Sequence, residues 1–167
     1  SIKGYEGLYS ISENGDVFSH RRNKNVTSYW QTTKFGKRYR RISLWKESQH
    51  QNFSVHRLLA AHFIDNPNKY NLIDHIDRNT ENNSLSNLRW CTYSQNRHNR
   101  DKTKGKTSRF MGVSYDKIAK KNVWVANICF ESKRICVGRF ENEEEAARAY
   151  NERAKICFGE FANLNVV

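Results

Sequence analysis

Asp74 and His75 are adjacent in the run Asn71-Leu72-Ile73-Asp74-His75-Ile76-Asp77, and two carboxamides follow at Asn87 and Asn96. An imidazole titrates near neutral pH, so His75 has the chemistry to take up or release a proton. The frame for these groups is short. Asn71 to His75 reads as one strand and Leu88 to Cys91 as a second, with an Asn-rich loop from Arg78 to Asn87 between them. Thr92 with Gln95 three residues on is a capping-box signal that starts a helix at Tyr93. Asn96 then falls in the first turns of that helix, one turn before Arg100 on the same face. Taken alone, an Asp-His pair is more often structural than catalytic, and runs of Asn are ordinary loop chemistry.

The order strand, Asn-rich loop, strand and helix, with the spacing His75…Asn87…Asn96 and the strand Leu88-Arg89-Trp90, resembles the H-N-H nucleases of the ββα-metal class. It is most similar to the homing endonucleases encoded in phage introns. At this spacing the odds for Asp74-His75 turn from structural to catalytic. The resemblance implies that Asp74 and Asn96 hold one divalent cation and that His75 is the general base. It also implies that Asn87 keeps the loop and the histidine in place. Phosphodiester hydrolysis suits these residue types: a water must lose a proton, and the leaving oxygen carries charge that a cation on oxygen ligands can neutralise. One carboxylate and one carboxamide leave coordination positions open, which favours Mg²⁺ or Mn²⁺ over zinc. The final position is Asn where the family name has His, and His98 lies two residues away.

The chain has 167 residues, 29 Lys plus Arg against 17 Asp plus Glu, and a net charge of +12. That balance points to a polyanionic partner bound less tightly as salt rises. The core stretch is the least basic part: residues 51–100 carry six basic and four acidic side chains, against ten and four in 1–50 and thirteen and nine in 101–167. The flanks are therefore expected to supply much of the grip on double-stranded DNA. Cys91, Cys129, Cys136 and Cys157 form no Cys-x-x-Cys pair, so no structural zinc is expected. Four free, buried thiols and the lack of a long apolar run or signal peptide suggest an intracellular protein with no membrane partner.

Before the core, Asn14-Gly15 between two alternating runs is a hairpin signal. Two further strands are expected around Phe35-Gly36-Lys37, with Ile42 and Leu44 sharing a face. The stretch Gly4-Tyr5-Glu6-Gly7-Leu8-Tyr9 through Ser19 resembles the small modular motif found beside homing nucleases, which implies a β-rich DNA-contacting extension. Arg21, Arg22, Lys34, Lys37, Arg38, Arg40 and Arg41 are its candidate phosphate contacts, and a solvated rim is the alternative for some of them. Ser54 can cap a helix whose stripe of Val55, Leu58, Leu59, His62 and Phe63 forms core. His62 reads as a packed histidine, and neither it nor His56 is assigned a catalytic role.

After the core, Arg97 to Arg109 holds six basic side chains and one acid. Arg97, Arg100, Lys102, Lys104, Lys106 and Arg109, with Arg89, are further candidates for DNA contact, against the alternative of a tether without fixed contacts. The motifs Gly-Val-Ser-Tyr-Asp at 112–116, Trp-Val-Ala-Asn-Ile at 124–128, Val-Gly-Arg-Phe at 137–140 and Glu-Phe-Ala-Asn-Leu-Asn at 160–165 resemble the Apetala/ERF DNA-binding domain. That implies a three-stranded sheet in the major groove with one helix behind it. Arg134 keeps the family's residue type at a base-reading position, Asn127 stands where that family has a glutamate, and Lys133 adjoins Arg134 as a further candidate contact. Met111, Ser114, Asp116 and Cys129 stand where that family has arginines, so the fold transfers and the target sequence does not.

The expectation is an α+β chain: a β-rich module in 1–50, a nuclease domain in 51–100 with its ββα-metal finger at about 71–100, a basic linker in 101–107, and an Apetala/ERF-like domain in 108–167. The function expected is site-directed DNA endonuclease, nicking one strand as a monomer with one Mg²⁺ or Mn²⁺. Two other readings are a DNA-binding regulator with an inactive nuclease core and a non-specific or defence nuclease.

Overall fold

In the computed structural model, which describes residues 1–99, 107–118 and 123–167, the turn at Asn14-Gly15 joins the first two strands. These are β1 (Tyr9–Ile11) and β2 (Val17–Ser19), and β3 (Lys24–Asn25) completes an antiparallel sheet. Gly15 is required here. Its φ is +77°, and an added Cβ would lie 2.6 Å from Val55 Cγ1. A second sheet follows from β4 (Tyr29–Thr32), β5 (Arg38–Lys46) and β6 (Gln49–Ser54). Alternation along β5 buries Ile42 and Leu44 and turns Trp45 outward, against the His50 ring at 4.8 Å.

Helix α1 (Val55–Phe63) comes directly off β6, and a loop leads to the hairpin of β7 (Leu72–His75) and β8 (Leu88–Cys91), then to α2 (Tyr93–His98). Ser54 stands at the N-cap of α1 but does not cap it with its side chain; its hydroxyl accepts from Arg41 Nη1 at 2.7 Å instead. The expected stripe on α1 holds for Val55, Leu58 and Leu59, whereas Phe63 at the frayed end is 38% exposed and His56, off the stripe, is buried. β5 and β7 lie beside His56, which is why it is covered. His62 is a packed histidine, its ring bonded to Leu58 O at 2.7 Å and accepting from Lys3 N.

One hydrophobic cluster runs through this first unit, Ser1–Asn96: Ile2, Tyr9, Val17, Ile42, Leu44, Val55, Leu58, Leu59 and Leu88. Residues before and after position 50 share it, so the boundary drawn there in sequence does not divide the core. Small modules bury little by themselves, and pooling two of them into one core is the stable solution.

The second unit, Arg97–Val167, has an antiparallel sheet of order β11-β10-β9, formed by β9 (Val113–Tyr115), β10 (Trp124–Phe130) and β11 (Lys133–Phe140). Helix α3 (Glu143–Phe158) packs on it. Asn142 caps α3 by accepting from Glu144 N at 2.7 Å, and three glutamates in the first turn suit the positive end of the helix. Ala126, Ile128, Ala146, Ala147, Tyr150 and Ala154 form the buried centre, with Trp124 packed beside them. Gly112 has φ +71°, and a Cβ there would meet the Tyr150 ring and lie 2.6 Å from the Asn127 carbonyl oxygen. Of the thiols expected to be buried, Cys91 is, but Cys129 and Cys136 are exposed on the outer face of the sheet and Cys157 is half-buried. Alternation places those two on the side away from α3. Among the described residues no helix is long and apolar enough to cross a membrane.

Candidate active site

The β7–β8 register sets Asp74 opposite Arg89 and His75 opposite Leu88. Neighbouring residues of a strand point to opposite faces, so the adjacent acid and imidazole face different surroundings. His75 is buried, and its Nε2 lies 3.2 Å from Asn83 Oδ1. A neutral ring that donates from Nε2 to this oxygen has its basic lone pair on Nδ1. The ring also meets His56 at 5.0 Å between centroids and Tyr39 at 6.3 Å. Burial pulls the His75 pKa below its ordinary value; the Asn83 bond and the Asp77 and Asp74 carboxylates oppose this without overcoming it. A ring of that kind is neutral at physiological pH and ready to take a proton.

The Asn-rich loop is tied together by Asn87, at the end of a 3₁₀ turn over Leu85–Asn87. Its Nδ2 donates to Asp77 Oδ1 and to Asn82 O, both at 2.8 Å, and its Oδ1 accepts from Asp77 N at 2.9 Å. Its backbone oxygen accepts from Ile76 N. Asp77 also takes Asn82 Nδ2 at 2.7 Å. Burial would raise the Asp77 carboxyl, but the bonds from Asn82, Asn79 N and Asn87 outweigh it and hold it below its ordinary range. Asn87 therefore fixes the segment that begins one residue after His75.

Asp74 is almost fully enclosed and takes two bonds from Arg89 on Oδ2, from Nε at 3.0 Å and from Nη2 at 2.8 Å. Asn96 lies in the first turn of α2, its N–H on Thr92 O at 3.0 Å. The capping box is complete: Gln95 Oε1 accepts from Thr92 N and Thr92 Oγ1 from Gln95 N. Among the described residues no group of three or more His, Cys, Asp or Glu side chains gathers as for a metal. What Asp74 and Asn96 provide is one carboxylate and one carboxamide. Hard oxygen donors of that kind fit a largely hydrated Mg²⁺ or Mn²⁺ rather than zinc.

The basic candidates differ in what holds them. Arg21, Arg22, Lys34, Lys37 and Arg97 are exposed, with Lys34 over the Phe35 ring at 5.0 Å. Arg38 bonds Glu81 at 3.4 Å and lies over Trp30. Arg40 is engaged by Ser28 Oγ, Asn14 O and Asp16, and Arg41 by Ser54. Arg89 belongs to Asp74, and Arg109 pairs with Glu144 at 2.9 Å. Arg100, Lys102, Lys104 and Lys106 lie outside the described residues. Lys133 and Arg134 are exposed on β11, and Asn127 is half-buried on β10. A cavity of about 470 Å³ beside the hairpin is lined by Arg57, Lys69, Tyr70, Ile73 and Trp90 among others, and of these sequence reading did not single out the two cations and the Tyr70 ring. Sequence reading also missed Asn83 and Tyr39, and it gave His56 no part in the site. Asn83 is one asparagine among several in its loop, and no periodicity couples positions 39 and 56 to 75.

Residues 54–98, which run from α1 through the strand-loop-strand hairpin into α2, match the family model described as HNH endonuclease. Among curated proteins the chain is similar to DNA endonuclease I-HmuI of Bacillus phage SP01, 42% identical over 98 residues that cover 59% of this chain and 54% of that protein. It is 37% identical over 108 residues to the uncharacterized HNH endonuclease L245 of Acanthamoeba polyphaga mimivirus, covering 65% of this chain and 32% of the relative. A solved structure described as DNA binding and cleavage by the HNH homing endonuclease I-HmuI matches with a TM-score of 0.52 and 41% identity, over 59% of this chain and 55% of that one. The chain thus spans about half the length of I-HmuI and a third of L245.

Proposed function

We propose that this chain is a site-directed DNA endonuclease of the homing type that cleaves one strand of double-stranded DNA as a monomer. The observation that carries this reading is His75, an enclosed imidazole with Nε2 3.2 Å from Asn83 Oδ1 and set directly before the loop that Asn87 ties together. His75 takes the proton of the attacking water. Asn87 holds the loop that follows it. Asp74 and Asn96 would hold one divalent cation, Mg²⁺ or Mn²⁺, which supplies charge neutralisation at the leaving oxygen when bound. Arg89 fixes the carboxylate of Asp74 and shields its charge until substrate and ion arrive. The relatives support DNA as the substrate, since I-HmuI carries that activity in its name.

In this reading the strands before α1 are a nuclease-associated modular motif that grips the DNA backbone through its exposed cations. Residues 108–167 of the second unit form an Apetala/ERF-like domain that presents Asn127, Lys133 and Arg134 to the major groove. Arg97, Arg109 and the basic stretch between them follow the backbone.

The test is a supercoiled plasmid incubated with Mg²⁺, with and without chelator, comparing the wild type with His75→Ala. Open circles that require both metal and His75, with DNA affinity unchanged in the variant, are the expected result. Cleavage by His75→Ala at the wild-type rate would remove the general-base assignment, and linear product would replace nicking with paired cuts.

A further inference from the structure

His56 is on the first turn of α1, 7% exposed, and its Nδ1 has no hydrogen-bond partner. Its ring meets His75 edge-on, with centroids 5.0 Å apart and planes at 62°, and meets Tyr39 at 5.4 Å. A second enclosed nitrogen without a partner lies in the same neighbourhood: Nε of Arg41. The guanidinium is anchored by Nη1 on Ser54 Oγ, two residues before His56, and its charge is among those that act on the His56 ring. An apolar side chain of the same shape would fill the space of His56 without leaving a polar atom unsatisfied, so packing alone does not account for a histidine there. The two orphans are complementary. A guanidinium nitrogen only donates, and a neutral imidazole accepts at one nitrogen. Burial, with the charges of His75, Arg57 and Arg41, holds His56 neutral, its pKa pulled to about 3.

We propose that Arg41 and His56 form a positioning pair for His75, with Arg41 Nε–H bonded to His56 Nδ1 through one water, and the His56 ring thereby fixed as the wall against which the His75 ring is set. The inference rests on the reading of His75 as general base and adds what orients it. Asn83 holds one nitrogen of His75, and the His56–Tyr39 pair limits the tilt of its plane. Arg41, a phosphate candidate by charge, is on this account an internal anchor.

Two measurements test it. In ¹⁵N-labelled wild-type protein, His56 Nδ1 is expected at the shift of an unprotonated, hydrogen-bonded nitrogen, and Arg41→Gln is expected to move it; a protonated Nδ1, or one indifferent to Arg41, overturns the pair. In the Mg²⁺ plasmid assay, His56→Phe keeps the ring volume and is expected to lower kcat roughly ten- to a hundredfold at unchanged KM. Arg41→Gln is expected to do the same, and the double variant no worse than either. Wild-type kcat in His56→Phe overturns the proposal, as do additive losses or a rise confined to KM in Arg41→Gln, which would return Arg41 to the phosphate contacts. If the wild-type protein cuts nothing, the endonuclease reading fails, and the nitrogen spectrum still decides whether Arg41 and His56 are linked.

Discussion

Acidification should destabilise the first unit through His56, by an amount that its burial fixes. An imidazole whose pKa is depressed on folding is protonated first in the unfolded chain. Stability is therefore fully present above the ordinary value of 6.5 and is lost as pH falls toward the folded value of about 3. Within that window each pH unit costs about 1.4 kcal/mol, so the loss at pH 4.5 is about 3 kcal/mol and the full effect roughly 5 kcal/mol. His75, lowered in the same direction by burial, adds to the slope. The assay is urea unfolding followed at fixed pH steps between 7.5 and 4.5, with the wild type compared with His56→Phe. The variant cannot take up the proton, so the stability difference between the two proteins should move in its favour by about 3 kcal/mol across the range. Parallel curves would refute the reasoning, because they would mean that His56 titrates alike in the folded and unfolded chains.

Three other outcomes are expected. Arg89→Ala removes one partner of an enclosed ion pair and should cost about 3–5 kcal/mol of stability, read as a lowered urea midpoint; an effect on DNA affinity alone would make Arg89 a phosphate contact instead. Asn87→Ala deletes the three side-chain bonds that close the loop, should cost roughly 2–4 kcal/mol, and should depress cleavage in conditions where the variant is folded. Mg²⁺ at a hundredfold excess over its dissociation constant should stabilise the wild type by about 2.7 kcal/mol and leave Asp74→Ala unmoved; equal stabilisation of both would place the ion elsewhere.

What could be read from the chain and what could not divide along the range of the interactions. The hairpin at Asn14-Gly15, the two strands around the Asn-rich loop and the Thr92–Gln95 box are set by neighbours in sequence, and all three stand in the structure. The interior of unit one was less legible, because Ile2, Val17, Leu44 and Leu88 come together only when both halves of that unit pack. The side-chain partners were harder still. Arg40, Arg41 and Arg89 look like surface cations in a basic chain, yet each finds an oxygen that sequence places 12, 13 or 15 residues away. His56 shows the same limit. Helical periodicity puts it off the apolar stripe, and only the approach of β5 and β7 encloses it beside His75. The chemistry-bearing types were therefore visible in one stretch. The groups that decide which nitrogen of His75 is basic, and how its ring is held, come from residues 39, 41, 56 and 83, which no local pattern marks.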